Sequence, residues 1–244
     1  MPLRIATWNL ERAAGARKRA DAQHRMDDTD ADVWVLTESR RDLSPGADHR
    51  LIAESAPRHD TDGTERWVTI WTRLAGGVAR PTRDDQFTAC ARIAGAPGGA
   101  LHVYGTVLPW RGSTWRGRAS AGAEAYAAAL SVQRDDWREL KSDGELCVAG
   151  DFNQDLSSRA FYWSRAARKH LEGALCASGL TATTASPNDP VSRLTDDAEA
   201  CIDHVCVSLG LMRRLVSPPR AWRSEFEGRR ISDHPGIVVT FSDA

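Results

Sequence analysis

Short apolar runs, separated by polar and glycine-rich segments, recur along the whole chain of 244 residues. Runs of four to eight apolar, β-branched and aromatic residues between turn residues are typical of buried β-strands. This pattern predicts strands at residues 3–8, 33–36, 66–72, 87–93, 101–108, 146–149, 202–207 and 237–241. The turn-forming sequence at 94–99 predicts that the fourth and fifth of these strands form a hairpin.

Helical spacing is clearest at residues 120–141, an alanine-rich segment that Gly144 ends. A polar, mostly exposed helix is predicted at 17–28, and one or two helices are predicted at 159–177, before Ser178 and Gly179. Residues 186–190 and 217–220 are rich in proline and polar residues and predict loops. With no internal repeat or linker, residues 1–244 are expected to form one domain.

Composition narrows the cellular and electrostatic setting. Hydrophobic content of 41% and charged content of 27% are ordinary for a globular protein. The net charge of −1 means that binding of a polyanion requires a local basic patch. Five cysteines without CxxC spacing favour a reduced compartment and argue against a thiolate metal site. We therefore expect a cytoplasmic protein without a membrane span, although a processed secreted form is an open alternative. A monomer is favoured.

Four polar clusters end or interrupt the apolar runs, and they carry the candidate chemistry. They lie at residues 7–11, 37–39, 150–154 and 232–235 and read TWNLE, TES, GDFNQ and SDHP. Carboxylates and carboxamides are hard ligands that suit Mg²⁺ or Mn²⁺. Together with one histidine, they indicate a divalent-metal hydrolase.

The first two clusters admit two interpretations each. Asn9 and Glu11, at positions i and i+2, would face one side of an extended chain and could address one polar site, or they could simply cap the strand. Glu38 closes a very apolar strand, where a carboxylate must be paired, bind a metal or emerge into solvent.

Two further pairs of polar residues follow or interrupt apolar strands, and each has a functional and a structural interpretation. Asp151 and Asn153 follow a strand and could hold a metal or orient a phosphate, or they could form an Asx turn. Asp203 and His204 face opposite sides of a strand, and we favour Asp203 as the functional residue.

The cluster before the last strand contains the candidate histidine. His234 can take a proton from water if a carboxylate supports the imidazolium, and Asp203 is the natural partner. Asp233 is expected to point away from His234 and to be free to bind a metal.

In order and spacing, TWNLE, a glutamate at a strand end, GDFNQD, IDHV and SDHP resemble the endonuclease/exonuclease/phosphatase superfamily, which includes DNase I. The resemblance extends from Asn9 to His234 and implies a DNase I-like α/β fold. In that fold two packed mixed sheets, flanked by helices, form a four-layer sandwich. It also implies a site at the sheet ends, with Asn9 and Glu38 at a Mg²⁺ or Mn²⁺ ion and Asp233 completing its surroundings.

The resemblance further implies that Asp151 binds or orients the attacking water, that Asn153 positions the phosphate, and that Asp203 orients His234. One position departs from the family pattern. Relatives carry a catalytic histidine or tyrosine at the position matching the end of the strand at 101–108, where this chain has Val107, which can neither exchange a proton nor donate to a phosphate.

Substitutes for the missing group remain open at this stage. Tyr104, Trp110 or Arg111 could replace it, or the leaving group needs no protein acid. Loss of such a group typically costs ~10²–10⁴-fold in rate.

Residues 110–118 follow the strand at 101–108 and interleave tryptophans with arginines, a combination that binds single-stranded or distorted nucleic acid. Trp110, Arg111 and Trp115 are therefore candidate substrate-binding residues, although a solvated arginine-rich loop over packed tryptophans explains the same pattern. The leading hypothesis is a nuclease or related phosphodiesterase acting on DNA or RNA. The alternatives are a phosphatase or lipid phosphodiesterase acting on a smaller ester, and a binding protein on a weakened catalytic scaffold.

Overall fold

The apolar runs form strands because in a sheet their backbone groups are hydrogen-bonded while their side chains leave water. The structure, a computed structural model, describes residues 1–58, 62–117, 121–157, 162–194 and 200–243. Its strands are β1 (Leu3–Asn9), β2 (Val33–Arg40), β3 (Arg50–Glu54), β4 (Glu65–Thr72), β5 (Gly77–Arg80), β6 (Thr88–Ile93), β7 (Leu101–Val107), β8 (Glu145–Asp151), β9 (Leu180–Ala182), β10 (Asp203–Ser208), β11 (Arg220–Trp222), β12 (Glu225–Phe226), β13 (Arg229–Arg230) and β14 (Gly236–Phe241).

The helices are α1 (Ala16–Thr29), α2 (Ala123–Ser142), α3 (Arg165–Ser178) and α4 (Leu209–Arg213), and short 3-10 turns span Glu11–Ala13 and Val191–Arg193. Both bounds of α3 have local causes. The Ser164 side chain accepts a hydrogen bond from the Ala167 N–H and starts α3, and Gly179 ends it in the left-handed conformation.

Two six-stranded sheets organise these elements. The first has the order β11-β14-β1-β2-β4-β3 and the second β5-β6-β7-β8-β10-β9, while β12 and β13 form a separate pair. Both sheets are mixed: β1 runs parallel to β2 and antiparallel to β14, and β8 runs parallel to β7 and antiparallel to β10.

Three apolar clusters show how the layers stack. The first joins side chains of both sheets, including Val35, Val68, Val103 and Ala149. The second packs α2 and α3 on the outer face of the second sheet, and the third packs α1 on the outer face of the first. The predicted four-layer α/β sandwich is therefore confirmed.

The predicted elements recur with shifted ends. Two shifts are large: α3 begins later than predicted, at Arg165, and β2 ends later than predicted. It continues to Arg40, so Glu38 lies inside a strand and not at its end. The parts of the predicted helices at residues 120 and 159–161 lie outside the described residues. The short strands β3, β5, β9 and β11–β13 and the one-turn helix α4 were not predicted, because segments this short carry too little periodicity.

Helices long and apolar enough to cross a membrane are absent from the described part of the chain.

Close contact between the sheets predicts opposite effects for two glycine substitutions. A Cβ at Gly105 would clash with Val68 and lie 3.0 Å from Cγ1 of Val35, whereas a Cβ at Gly173, inside α3, meets nothing within 4 Å. Gly105→Ala should lower the free energy of unfolding by ~1–3 kcal/mol, because the sheets must separate. Gly173→Ala should raise it by about 0.5–1 kcal/mol. Urea unfolding of both variants tests this prediction. An unchanged free energy of unfolding for Gly105→Ala would show that the two sheets can separate slightly without loss of stability.

Candidate active site

Two carboxylates meet where β8 ends and β10 begins. The antiparallel register pairs Asp151 with Asp203. Both are buried, with 2% and 3% of their surface exposed. Because two buried like charges repel each other, this pair requires a compensating cation or proton.

His234 supplies part of that compensation from the other sheet. It precedes β14, and its Nδ1 lies 2.6 Å from Oδ2 of Asp203. Its backbone is also held: the N–H donates to Ser232 Oγ at 3.1 Å, and the carbonyl accepts from Trp8 Nε1 at 3.0 Å. The Ser232 hydroxyl in turn donates to the Asn9 carbonyl at 2.6 Å. The imidazole is therefore fixed to the end of β1, and the predicted contact between Asp203 and His234 is present.

Burial and charge shift the pKa values of this group in definite directions. Burial is the main cause that raises the pKa of Asp151 to about 7. The charge of His234 opposes this shift, and the negative charges of Asp203 and Glu38 add to it. Burial by itself lowers the pKa of His234, but the charges of Asp203 and Asp151 outweigh it and raise that pKa to about 10. Without a bound metal, these shifts favour a protonated His234 and bring proton exchange at Asp151 close to neutral pH.

Asn9 and Glu38 complete the edge from the first sheet. The Asn9 amide nitrogen lies 3.1 Å from Oδ2 of Asp151 and 3.5 Å from Oε1 of Glu38. The other oxygen of Glu38 accepts a hydrogen bond from Arg58 Nη1 at 3.2 Å. Glu38 has a φ of +42°, a conformation that a side chain makes unfavourable by about 1–3 kcal/mol. The strained backbone turns its carboxylate toward Asn9.

Asn153 forms the Asx turn that its motif predicted, and its side chain lies beside Asp151 and Leu108. Its N–H donates to Oδ1 of Asp151 at 2.8 Å, which is the Asx turn, and its φ is +47°. Its side chain points back to the site, where the amide donates to the Leu108 carbonyl at 3.0 Å. An amide NH₂ carries a second hydrogen, which can serve a phosphate oxygen.

Two expectations from strand geometry are wrong. The chain leaves the extended conformation after Asn9, so Glu11, with a φ of +45°, does not face the site with Asn9. Glu11 instead contacts Lys18 at 3.0 Å and Arg230 at 3.6 Å. Asp233 does not point away from the histidine, since its Oδ1 lies 4.0 Å from Nε2 of His234.

His204 and Tyr104 have structural positions. The His204 ring is buried between Thr184 Oγ1 at 2.7 Å and the Gln154 carbonyl at 2.8 Å. Burial lowers the pKa of His204 to about 4, as expected for a neutral packing residue. Tyr104 is buried, with its hydroxyl 3.0 Å from Asp136, and cannot replace the group missing at Val107.

Val107 is buried beside the site. It pairs with Asp151 in the parallel register of β7 and β8, so both side chains leave the sheet on the same face. It belongs to the cluster between the sheets and is 1% exposed. An apolar wall thus stands where the resemblance implied a proton-transfer group.

The three predicted substrate-binding residues in the loop after β7 differ in their exposure to solvent. Trp110 is 41% exposed and Arg111 is exposed, so both can meet a substrate. Trp115 is 2% exposed, and its indole N–H donates to Asp84 at 3.0 Å. Its predicted role in stacking on a substrate is wrong, because the ring packs against α2 and the second sheet and offers no face to solvent.

The sequence analysis missed two residues of the site, Arg58 and Tyr162, and gave no role to a third, Ser232 of the SDHP motif. Arg58 touches Glu38, Ser232 holds His234, and Tyr162 lines a cleft of about 240 Å³ together with Asp203, Asp233 and His234. Ser232 is the first residue of the SDHP motif, so the motif itself carried a signal. Arg58 lies in a segment without strand or helix periodicity, and Tyr162 lies in the helix predicted at 159–177, whereas α3 begins only at Arg165.

The donor set fits a divalent cation. Ligand atoms of Asp151, Asp203 and His234 lie within 4.8 Å of one another. Oδ1 of Asp203 is buried and has no hydrogen-bond partner among the described residues. Hard oxygen donors and an uncompensated buried oxygen favour Mg²⁺ or Mn²⁺ over softer metals.

The two mixed sheets and the carboxylate–histidine site at their edge define an α/β sandwich of the DNase I-like class. The chain belongs to the Endonuclease/Exonuclease/phosphatase family, whose sequence model matches residues 6–234. Members of this family hydrolyse phosphoester bonds and typically depend on a divalent metal. No curated protein matches the sequence.

Solved structures with the same fold include three nucleic-acid enzymes. An AP endonuclease from Archaeoglobus fulgidus is 14% identical, with coverage of 98% of this chain and 99% of that one and a TM-score of 0.72. The 3′ phosphatase NExo from Neisseria, bound to a product DNA hairpin, is 16% identical, with coverage of 98% and 99% and a TM-score of 0.69. The endonuclease domain of TRAS1, a telomere-specific non-LTR retrotransposon, is 16% identical, with coverage of 99% and 98% and a TM-score of 0.68. At such identities the likeness shows the fold.

Burial of Asp151 predicts a pH-dependent loss of stability in metal-free buffer. A carboxyl group whose folded-state pKa is about 7 stabilises the fold fully below its ordinary pKa of 3.8, and this contribution disappears as the pH rises through 7. Asp151→Asn has no such proton to lose. Between pH 4 and 7 the variant should gain up to about 4 kcal/mol relative to the wild type.

Urea unfolding in EDTA across this range measures the difference, with Asp85→Asn, at an exposed carboxylate, as the matched control. Parallel stability curves for the wild type and Asp151→Asn would contradict the raised pKa.

Proposed function

We propose that this protein is a divalent-metal-dependent phosphodiester hydrolase, a nuclease that acts on DNA or RNA. The observation that carries the proposal is the contact of 2.6 Å between His234 and Asp203 beside buried Asp151. Family membership supports phosphoester hydrolysis, and the acidic cluster supports the metal dependence.

Asp151 is the proposed base. Its pKa of about 7 lets a buried carboxylate accept a proton near neutral pH, which an ordinary aspartate does poorly. It would hold the attacking water and take its proton, and the N–H of Asn153 keeps one carboxylate oxygen in place at 2.8 Å.

His234 acts in this mechanism as a cationic donor. With Asp203 on Nδ1, the ring holds a proton at Nε2 and can donate it in a hydrogen bond to a phosphate oxygen. The sequence-based hypothesis that His234 itself deprotonates water is less compatible with a pKa of about 10. Asn153 would bind a second phosphate oxygen through its remaining amide hydrogen.

Glu38, Asn9 and Asp233 are the proposed metal-binding residues, with Asp203 Oδ1 as a further ligand. When bound, Mg²⁺ or Mn²⁺ would neutralise charge on the phosphate and stabilise the leaving oxygen. Arg58 limits the negative charge on Glu38, and this charge balance keeps the carboxylate edge stable without the ion. A leaving group stabilised in this way does not require a proton donor at position 107.

Hydrolysis assays with and without Mg²⁺ or Mn²⁺ test the proposed function. The panel is single- and double-stranded DNA, an abasic duplex, RNA, a phosphomonoester and a phospholipid. The wild type should cleave at least one nucleic acid only with metal. Asp151→Asn and His234→Ala should each reduce that rate by at least ~10²-fold, because each removes a group that acts on the water or phosphate.

The matched control is His170→Ala, at an exposed histidine of α3, which should cleave at the wild-type rate. Near-wild-type rates in both site variants would remove these residues from the mechanism. Cleavage of only the phosphomonoester or the phospholipid would replace the nuclease by one of the alternative activities.

Val107 gives a second test of the site. Val107→His places an imidazole on the same face as Asp151, so the cleavage rate should stay unchanged or rise, while burial of a polar ring lowers the melting temperature. Val107→Leu adds bulk without a titratable group and controls for packing. A large loss of rate in a folded Val107→His variant would show that the site is built around an apolar residue there.

A further inference from the structure

A cluster of aromatic rings, tilted against one another, lies beside the proposed catalytic edge. Trp67, on β4, has its ring centroid 5.2 Å from Phe87 and 5.8 Å from Trp110, at interplanar angles of 42° and 36°. The guanidinium of Arg58 lies 3.8 Å above the Trp67 ring. We call Arg58, Trp67, Phe87 and Trp110 the tryptophan platform.

Contacts on two sides connect the platform to the proposed reacting groups. On one side, Arg58 pairs with Glu38 at 3.2 Å. On the other side, the Leu108 N–H donates to the Asp151 carbonyl at 2.9 Å, and the Leu108 carbonyl accepts from Asn153 at 3.0 Å. Trp110 follows two residues later, which limits it to about 7 Å of chain from Leu108.

Ordinary core packing does not account for Trp110. Trp8, Trp34, Trp115 and Trp137 are fully buried, whereas Trp110 is 41% exposed. In the described ranges the other exposed large apolar side chain with an aromatic ring is Tyr162, which lines the cleft at His234. Exposed aromatic rings thus border the site on both the Glu38 side and the His234 side.

We infer that the tryptophan platform is a stacking subsite for an unpaired base next to the scissile phosphate, so that the preferred substrate is single-stranded or locally unpaired nucleic acid. The inference rests on the proposed function and adds the substrate class. Trp67 and Phe87 support Trp110 from within, which leaves an indole surface for a base. Exposed Arg111 supplies positive charge for a neighbouring phosphate, while Arg58, which is paired with Glu38, lies over the Trp67 ring.

An unpaired base fits this surface better than a duplex does. Bases inside a duplex are already stacked on both faces, so an indole can stack only on a base at an end, gap or single-stranded segment. With a net charge of −1, strong attraction to duplex DNA would require a local basic patch. Recognition must therefore come from a few local contacts, and stacking is the strongest that this loop offers.

Binding in EDTA tests the platform separately from cleavage. The probes are a fluorescein-labelled single-stranded oligonucleotide and a blunt hairpin of the same sequence, measured by anisotropy. Trp110→Ala should weaken binding of the single strand about 10-fold, the usual effect of losing one stacked base. Trp110→Phe should keep most of the affinity. The loss for Trp110→Ala should be several-fold smaller on the hairpin, whose unpaired bases are confined to its loop.

Leu209→Ala, at another exposed apolar residue, is the matched control and should bind as the wild type does. A second series moves one abasic residue along the single strand. The position facing the platform should weaken wild-type binding about 10-fold and leave Trp110→Ala unaffected, because the two changes remove the same contact.

Equal binding of the single strand by the wild type and Trp110→Ala would overturn the platform, as would equal losses on single strand and hairpin. If the wild type still cleaves a nucleic acid with Mg²⁺, the proposed function stands without the platform. If it cleaves only a phosphomonoester or phospholipid and binds no oligonucleotide, both proposals are overturned.

Discussion

Two buried carboxylates, Asp151 and Asp203, determine how the rest of this edge must be built. The register of β8 and β10 places them side by side, and little water reaches either. Burial of two adjacent negative charges is unfavourable unless a proton or cation compensates them. His234 provides that cation from the opposite sheet, so one electrostatic requirement links the two halves of the sandwich at the site.

Strained and tightly packed backbone surrounds this charge cluster. Glu38 and Asn153 adopt positive φ angles, and a Cβ at Gly150, just before Asp151, would clash with the Thr106 backbone. Such conformations persist only where packing on both sides holds them, and the core between the sheets does so here. Under the proposed function, this rigidity would position the reacting groups before substrate arrives, as electrostatic catalysis requires. Substrate selection would then belong to exposed side chains beside the site, such as Trp110 and Tyr162.

Sequence reasoning located the elements because the long strands bury both faces and produce continuous apolar runs. It also found Asp151, Asn153, Asp203 and His234, since polar residues that interrupt such runs are unfavourable without a function. It failed at Glu11, Asp233 and Trp115, where the outcome depends on how the chain leaves a strand or which way a loop folds. Alternation describes side-chain direction only while the backbone stays extended.

The sequence by itself determined the fold class, the family and the residue types of the site, because periodicity and motif order are local and linear properties. Tertiary structure alone decided the protonation of the site and the surface beside it. The pKa values of Asp151 and His234 arise from burial and from charges delivered by three strands and a loop. The ring contact between Trp67 and Trp110 joins residues that lie 43 positions apart, and no periodicity of the sequence indicates it. Distances in space set electrostatic and stacking energies, and distances along the chain do not reveal them.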